Sequence, residues 1–382
     1  MTTALANGRI VTGRALAKGL TILIEDGRID AIVPAHAVPQ GCEVYDLEGG
    51  TLMAGFIDLQ VNGGGGVLFN DAPTVQALHT IGRAHSRFGT TGFLPTIMSD
   101  DFATIAEAIA AVDEAIAAGV PGVLGIHIEG PFLNAERKGI HDPANFRILD
   151  ADGFSLVTSL KRGKTMLTLA PETTSPCMIA ALTEAGVLVS AGHTNASYEI
   201  LRAAFAAGLR GFTHLFNAMS PLTARAPGTV GSALDNDDSW CGVIADGRHV
   251  HPASLRIALR CKGRDRLMLV TDAMPSVGSS RKSFELAGKT ISVQNGVCVG
   301  PDGTLAGSDL DMAAAFRNAK SFFKLDLPDL SRLASGNAAE FLGLEREIGF
   351  ILPGARADLV LMNDELQVRQ CWIGGKPQLV RE

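Results

Sequence analysis

A chain of 382 residues, at roughly 100–200 residues per domain, has room for two domains or for one large barrel with an appendage, and exceeds any peptide-sized binding module. Its 46% hydrophobic and 19% charged content supports a sizeable core and excludes intrinsic disorder. A formal net charge of −7 excludes a general nucleic-acid or polyanion binder, which needs surplus Lys and Arg to displace counterions, but leaves room for a pocket that meets one small anion.

The first 50 residues read as short strands joined by turns. Residues 20–25 form a β-type run, Asp26-Gly27-Arg28 a hairpin turn and residues 29–33 the return. The last 30 residues read alike, with runs at 358–362 and 367–373 separated by Asn363-Asp364 and followed by Gly374-Gly375. Each terminal segment is too short to hold a core alone, so the two are expected to pack as one small β-sandwich domain, residues 1–53 plus 351–382.

Between them, short apolar runs alternate with helical stretches. The runs are 55–60, 92–97, 123–129, 166–170, 187–193, 211–216, 242–246 and 267–272, and Ala-rich helical stretches follow several of them, at 74–88, 102–118, 177–185, 197–207 and 252–261. Eight strand–helix alternations predict an α/β protein whose residues 54–350 form a (β/α)8 TIM-like barrel. After Asp272 the order breaks into a hairpin expected over 284–299 and helices near 309–323 and 330–342. Glycine is over-represented, 43 residues against a usual level of about 7%, which implies many tight turns. The run 63–66 follows the first strand, matches neither G-x-G-x-x-G nor a P-loop, and reads as a loop of close backbone approach. Six cysteines without a C-x-x-C pair signal neither a disulfide framework nor a thiolate zinc site and suit a reducing cytoplasm. The N-terminus lacks a signal-peptide pattern, and no apolar stretch reaches 18 residues, so neither secretion nor membrane spanning is expected.

In a parallel barrel the chemistry gathers at the carboxyl ends of the strands. Glu129, His193, His214 and Asp272 each fall at the end of one of these runs. Any one of them alone reads equally well as an ordinary strand-end polar group; four on four strand ends point to a shared site. One carboxylate and two imidazoles make three ligands for a divalent ion with a position left for water, the pattern of a catalytic zinc-type site. Asp272 then suits a general base that takes the proton of that water and returns it to a leaving amine. His127, two residues before Glu129, points to the same side and suits a partner of the ligands. His141 and His249 lie in loops after the third and seventh strands and are expected to touch substrate, whereas His36, His79 and His85 are expected at the surface. Arg225, in a turn-rich loop after the sixth run, reads first as a solvated arginine and second as a phosphate clamp.

Taken in order, the segments 55–63, His127-Ile128-Glu129-Gly130-Pro131-Phe132, Lys138-Gly139-Ile140-His141 and Gly192-His193-Thr194-Asn195-Ala196 resemble the amidohydrolase superfamily. Together with residues 213–219, 245–249, 270–273 and 305–308, they resemble within it the N-acetylglucosamine-6-phosphate deacetylases. The resemblance spans nearly the whole chain. It implies a metal-dependent hydrolase that converts N-acetyl-D-glucosamine 6-phosphate to glucosamine 6-phosphate and acetate. Another N-acetylhexosamine 6-phosphate or N-acyl amine is the alternative substrate. The resemblance makes Glu129, His193 and His214 the ligands of one divalent ion per subunit, with zinc favoured and iron, manganese or cobalt compatible. Asp272 becomes the general base and acid, and His141 a group that hydrogen-bonds the acetyl carbonyl or the sugar and helps stabilise the oxyanion. Asn217, the backbone at Ala218, Arg225 and His249 would hold the sugar phosphate, and the backbone of Leu305, Ala306 and Gly307 would complete the pocket. It also implies a homodimer in which the Arg225 loop reaches the neighbouring site. The superfamily's His-x-His at the first strand end, which ligates a second ion, is replaced here by Gln60 and Asn62; neutral amides are poor ligands for a transition metal, so one ion is expected. A catalytically dead barrel acting as a binding subunit would have lost the metal triad or the aspartate, and all four residues are present.

Overall fold

The computed structural model describes residues 2–379; residues 1 and 382, the outer limits expected for the small domain, lie outside that range. The centre of the chain forms an 8-stranded parallel sheet in sequential order. Its strands are β1 (Phe56–Val61), β2 (Thr90–Met98), β3 (Gly125–Glu129), β4 (Lys164–Leu169), β5 (Leu188–Ala191), β6 (Gly211–Phe212), β7 (Trp240–Ile244) and β8 (Leu267–Val270). Helices follow in step: α1 (Val75–Ser86), α2 (Phe102–Ala117), α3 (Ala151–Val157), α4 (Pro176–Glu184), α5 (Tyr198–Ala206), α6 (Gly228–Asp235), α7 (Pro252–Lys262) and α8 (Met312–Phe323). Most start on a side-chain cap: Thr74, Asp101, Asp150, Ser175, Ser197 and Asp311 each accept a first-turn N–H that has no partner within the helix. Every residue of β1, β2, β3, β7 and β8 is buried, as strands covered on both faces must be.

The sheet closes on itself at the seam between β8 and β1, where Val61 bridges Ala273 and the Asn62 N–H donates to the Ala273 carbonyl at 2.9 Å. A side chain stitches the rest of the seam. Asp58 on β1 is fully buried and accepts from the backbone N–H and the hydroxyl of Thr271.

Both chain ends build the second unit. One sheet has the strand order Arg28–Pro34, Leu20–Glu25, Thr3–Ala6, Glu43–Asp46; the other runs Lys376–Gln378, Val368–Ile373, Leu359–Met362, Thr51–Ala54, Arg9–Thr12, Ala15–Lys18. Leu5, Ile22 and Ile29 from the first sheet meet Ile10, Leu52, Leu359 and Trp372 from the second in one apolar core. The expected hairpin is present, with Asp26 and Gly27 both at positive φ, as a two-residue turn between twisted strands requires.

Three expectations change. The fifth and sixth runs were expected as strands to His193 and Phe216, but their strands end at Ala191 and Phe212. The chain leaves the ladder there because His193 and His214 adopt positive φ, 49° and 35°. The expected hairpin over 284–299 is a four-stranded antiparallel meander, Ser283–Leu286, Lys289–Gln294, Val297–Val299 and Leu305–Ser308. It rests over the barrel mouth on Leu68, Met98 and Met274. Its last strand returns to the barrel, the Ser308 N–H donating to the Asp272 carbonyl at 2.8 Å. Among the described residues, no helix is long and apolar enough to cross a membrane.

Candidate active site

At the carboxyl ends of the strands lies a cavity of about 320 Å³, and Glu129, His141, His193, His214, His249 and Asp272 all line it. Glu129 is the last residue of β3; the other ligands of the expected cluster lie two residues beyond the ends of β5 and β6. The ligating atoms of Glu129, His193 and His214 lie within 4.8 Å of one another. His214 Nε2 is 3.0 Å from Glu129 Oε1 and 3.1 Å from His193 Nε2. Burial alone would raise the Glu129 carboxyl, but the neighbouring His193 and His214 imidazoles outweigh it and hold it well below the usual carboxylate range.

The donor set fits a metal ion. The Nδ1–H of His193 donates to the Arg137 carbonyl at 2.8 Å, and a carbonyl can only accept. The proton is therefore on Nδ1, and the Nε2 lone pair faces Glu129 and His214. A metal-bound histidine is ordinarily held in this way by its second nitrogen. Gly139 lies close beneath the ring, where an added Cβ would sit 3.2 Å from His193 Cε1.

Gln60 and Asn62 point into the same cluster as donors. Gln60 Nε2 is 3.1 Å from both Glu129 Oε1 and Asp272 Oδ1, and Asn62 Nδ2 is 2.7 Å from Asp272 Oδ1. Two N–H groups thus fix one oxygen of Asp272 and leave Oδ2 to the cavity. Burial, with the Glu129 charge adding to it, raises the Asp272 carboxyl above its usual value. A raised carboxyl suits a group that must both take and return a proton.

His141 is 6% exposed. Its Nδ1 lies 3.3 Å from the backbone N–H of Ser99 and 2.8 Å from the Ser99 hydroxyl. Because the backbone group can only donate, Nδ1 is the acceptor and the ring proton resides on Nε2, on the side of Glu129. Burial pushes the imidazole down to about 3, so it stays neutral. Ser99 follows β2 and fits closely against Gly130, where a Cβ would come within 2.2 Å of its hydroxyl. His249 is oriented by Asp246, with Nδ1 2.6 Å from the carboxylate.

Of the other expected residues, Asn217, Ala218, Leu305 and Gly307 line the cavity. Ala306 does not; its side chain is fully buried in the apolar cluster beneath the meander. Arg225 is exposed in its loop and outside the cavity of its own chain. His127 lies within the barrel between the hydroxyls of Thr96 and Thr168, at 3.1 and 2.7 Å. His85, expected at the surface, is fully buried: its Nε2 is 2.9 Å from the Gly63 carbonyl, beneath the glycine run. Sequence reasoning missed Ser99, Glu136, Arg137 and Thr304. Ser99 alone carried a signal, a polar residue just past an apolar run.

The amidohydrolase family matches residues 51–377, and the NagA composite domain matches residues 3–52. The chain belongs to the amidohydrolase family. It is 43% identical over 332 residues to the N-acetylgalactosamine-6-phosphate deacetylase of Shewanella sp. (strain ANA-3), covering 87% of this chain and 84% of that protein. Over 98% of each chain it is 34% identical to the N-acetylglucosamine-6-phosphate deacetylase of Haemophilus influenzae. The crystal structure of N-acetylglucosamine-6-phosphate deacetylase from Pasteurella multocida superposes with a TM-score of 0.96 at 33% identity, over 99% of each chain.

Proposed function

We propose that this amidohydrolase removes the acetyl group from N-acetyl-D-glucosamine 6-phosphate, giving glucosamine 6-phosphate and acetate. The observation that carries the reading is the meeting, in one cavity, of a Glu–His–His cluster, an amide-held aspartate and an imidazole held as an N–H donor. The full-length deacetylase relatives support the substrate class.

Glu129, His193 and His214 hold one divalent ion per subunit, with zinc favoured and iron, manganese or cobalt compatible. When bound, the ion supplies Lewis-acid polarisation and makes its water more acidic. Asp272 takes a proton from the attacking water through the oxygen its amide partners leave free. As the acetyl carbon becomes tetrahedral, the Nε2–H of His141 donates to the developing oxyanion. Asp272 then returns its proton to the nitrogen as the C–N bond breaks, so that acetate and a free amine leave. Asn217, the Ala218 backbone and His249 hold the phosphate, with Arg225 reaching in from the second subunit of a homodimer. The backbone of Leu305 and Gly307 closes the pocket. Gln60 and Asn62, acting as donors, fit a site for one ion. The described residues within 1–53 and 351–382 form the small domain, and 54–350 the catalytic one. The absence of a C-x-x-C pair and the buried free thiols of Cys241, Cys298 and Cys371 support a cytoplasmic setting.

The 43% identity to an N-acetylgalactosamine-6-phosphate deacetylase favours a second reading, the 4-epimer as substrate. One acetate-release assay tests both: N-acetylglucosamine and N-acetylgalactosamine, each with and without the 6-phosphate, after metal removal and after restoring each metal. Turnover is expected only with phosphate and metal present, and the faster epimer names the substrate. Equal turnover of phosphate-free sugars would refute the sugar-phosphate assignment. Asp272→Asn is expected to keep its metal and lose about 10²–10⁴-fold in kcat; near-full activity would remove Asp272 from its role.

A further inference from the structure

We propose that Glu172 is a positioning residue for the metal site, locking the ligand His193 and the loop that carries His141 into one frame. Glu172 lies in the short turn Pro171–Thr173 after β4. Its carboxylate accepts from three donors on two different segments. Oε1 takes the backbone N–H of Asn195 at 2.6 Å and the side-chain amide of Asn134 at 2.9 Å, while Oε2 takes the hydroxyl of Thr194. Thr194 and Asn195 directly follow His193; Asn134 opens the loop that leads to His141.

The same two segments grip each other around the ligand. The Asn134 N–H donates to the His193 carbonyl at 3.0 Å. Arg137 accepts the His193 Nδ1–H on its carbonyl, and its own Nε donates to Asn195 Oδ1 at 2.5 Å. Asn195 in turn donates to Glu136 at 2.6 Å. Glu172 is the one member that joins both segments from a third strand end.

The need for such a lock follows from the backbone. His193 sits at φ 49°, a conformation that a non-glycine residue keeps only where its surroundings over-determine it. Two N–H groups and a hydroxyl all point at this side chain, and a contact to a charged acceptor is stronger than one to a neutral acceptor. Glu172 lies outside the ligand cluster itself, so it acts through His193 and the loop.

This inference rests on reading Glu129, His193 and His214 as metal ligands. The test uses the full chain with Glu172→Ala and Glu172→Gln, reading zinc affinity by competition with a chromogenic chelator, thermal unfolding of the metal-free protein, and kcat and KM separately. Glu172→Ala is expected to weaken zinc binding about 10–100-fold and to lower kcat more than it raises KM, with the metal-free protein still folded. Glu172→Gln keeps one oxygen for the two N–H donors and is expected to fall between that variant and wild type. A folded Glu172→Ala variant that binds zinc as wild type does would overturn the proposal. If that variant fails to fold, Glu172→Gln decides: weakened zinc affinity supports the lock, and wild-type affinity overturns it. A wild-type chain that takes up none of zinc, iron, manganese or cobalt would sink the metal reading instead, so the two failures are distinct.

Discussion

Ser99 decides what His141 can do. A histidine near a metal cluster could be a ligand, a base or an electrophile, and the backbone N–H on its Nδ1 leaves only the neutral Nε2–H donor. Replacing His141 with Ala is therefore expected to cost about 10²–10³-fold in kcat with metal content unchanged, the range for losing one oxyanion donor. Steady-state kinetics beside metal analysis would check this, and loss of metal in parallel with activity would make His141 a ligand. The four strand-end residues were legible in the sequence because a parallel barrel sends such residues to one mouth. Glu172 was not legible. It bonds only to loop residues, and nothing in a local sequence pattern says which loop donors meet one carboxylate. His85 misled for a related reason: a histidine in an amphipathic helix reads as solvated unless the backbone it meets, 22 residues away, is known.

At the scale of elements, the glycine run shows what a local loop demands of its neighbours. Gly63–Gly64 pairs with Val67–Leu68 in a small hairpin pressed onto α1, and a Cβ on Gly64 would come 2.8 Å from His85 Nε2. Burial pushes the His85 imidazole down to about 4. A histidine whose folded value is depressed contributes stability that is fully present above its unfolded value, about 6.5, and is lost as pH falls toward about 4. His85→Asn, which can still donate to the Gly63 carbonyl but cannot titrate, should lose less stability than wild type between pH 6.5 and 4. The difference is expected on the order of 2–3 kcal/mol, read from urea unfolding at each pH. An identical pH dependence in both proteins would exclude His85 as its source. The same scale explains where strand limits went wrong. An apolar run shows that a strand is buried, but not that its final residues must leave the ladder to aim a ligand, as they do after Ala191 and Phe212.

Over the whole molecule, the proposed phosphate site draws on two subunits. Arg225 and Leu222 are both exposed in the loop before α6, Leu222 at 56%. In the proposed homodimer each site borrows this arginine from the other subunit, and mixing subunits reveals the loan. Asp272→Asn and Arg225→Ala dimers are each expected to be impaired with phosphorylated substrate, the arginine variant chiefly through KM. Hybrids formed by refolding the two together contain one site with an intact aspartate and a borrowed arginine, and should recover activity above either parent. No recovery would mean that Arg225 acts within its own chain or not on substrate at all.

The terminal sandwich has a consequence for how the protein is made. Its second sheet places Thr51–Ala54 directly beside Leu359–Met362, so a strand that leaves the ribosome early must wait for a partner encoded about 300 residues later. At translation rates of ~5–20 residues per second that interval is roughly 15–60 s. During it the barrel can close, while the early strand keeps an unpaired edge that a chaperone, or another nascent copy, is free to meet first.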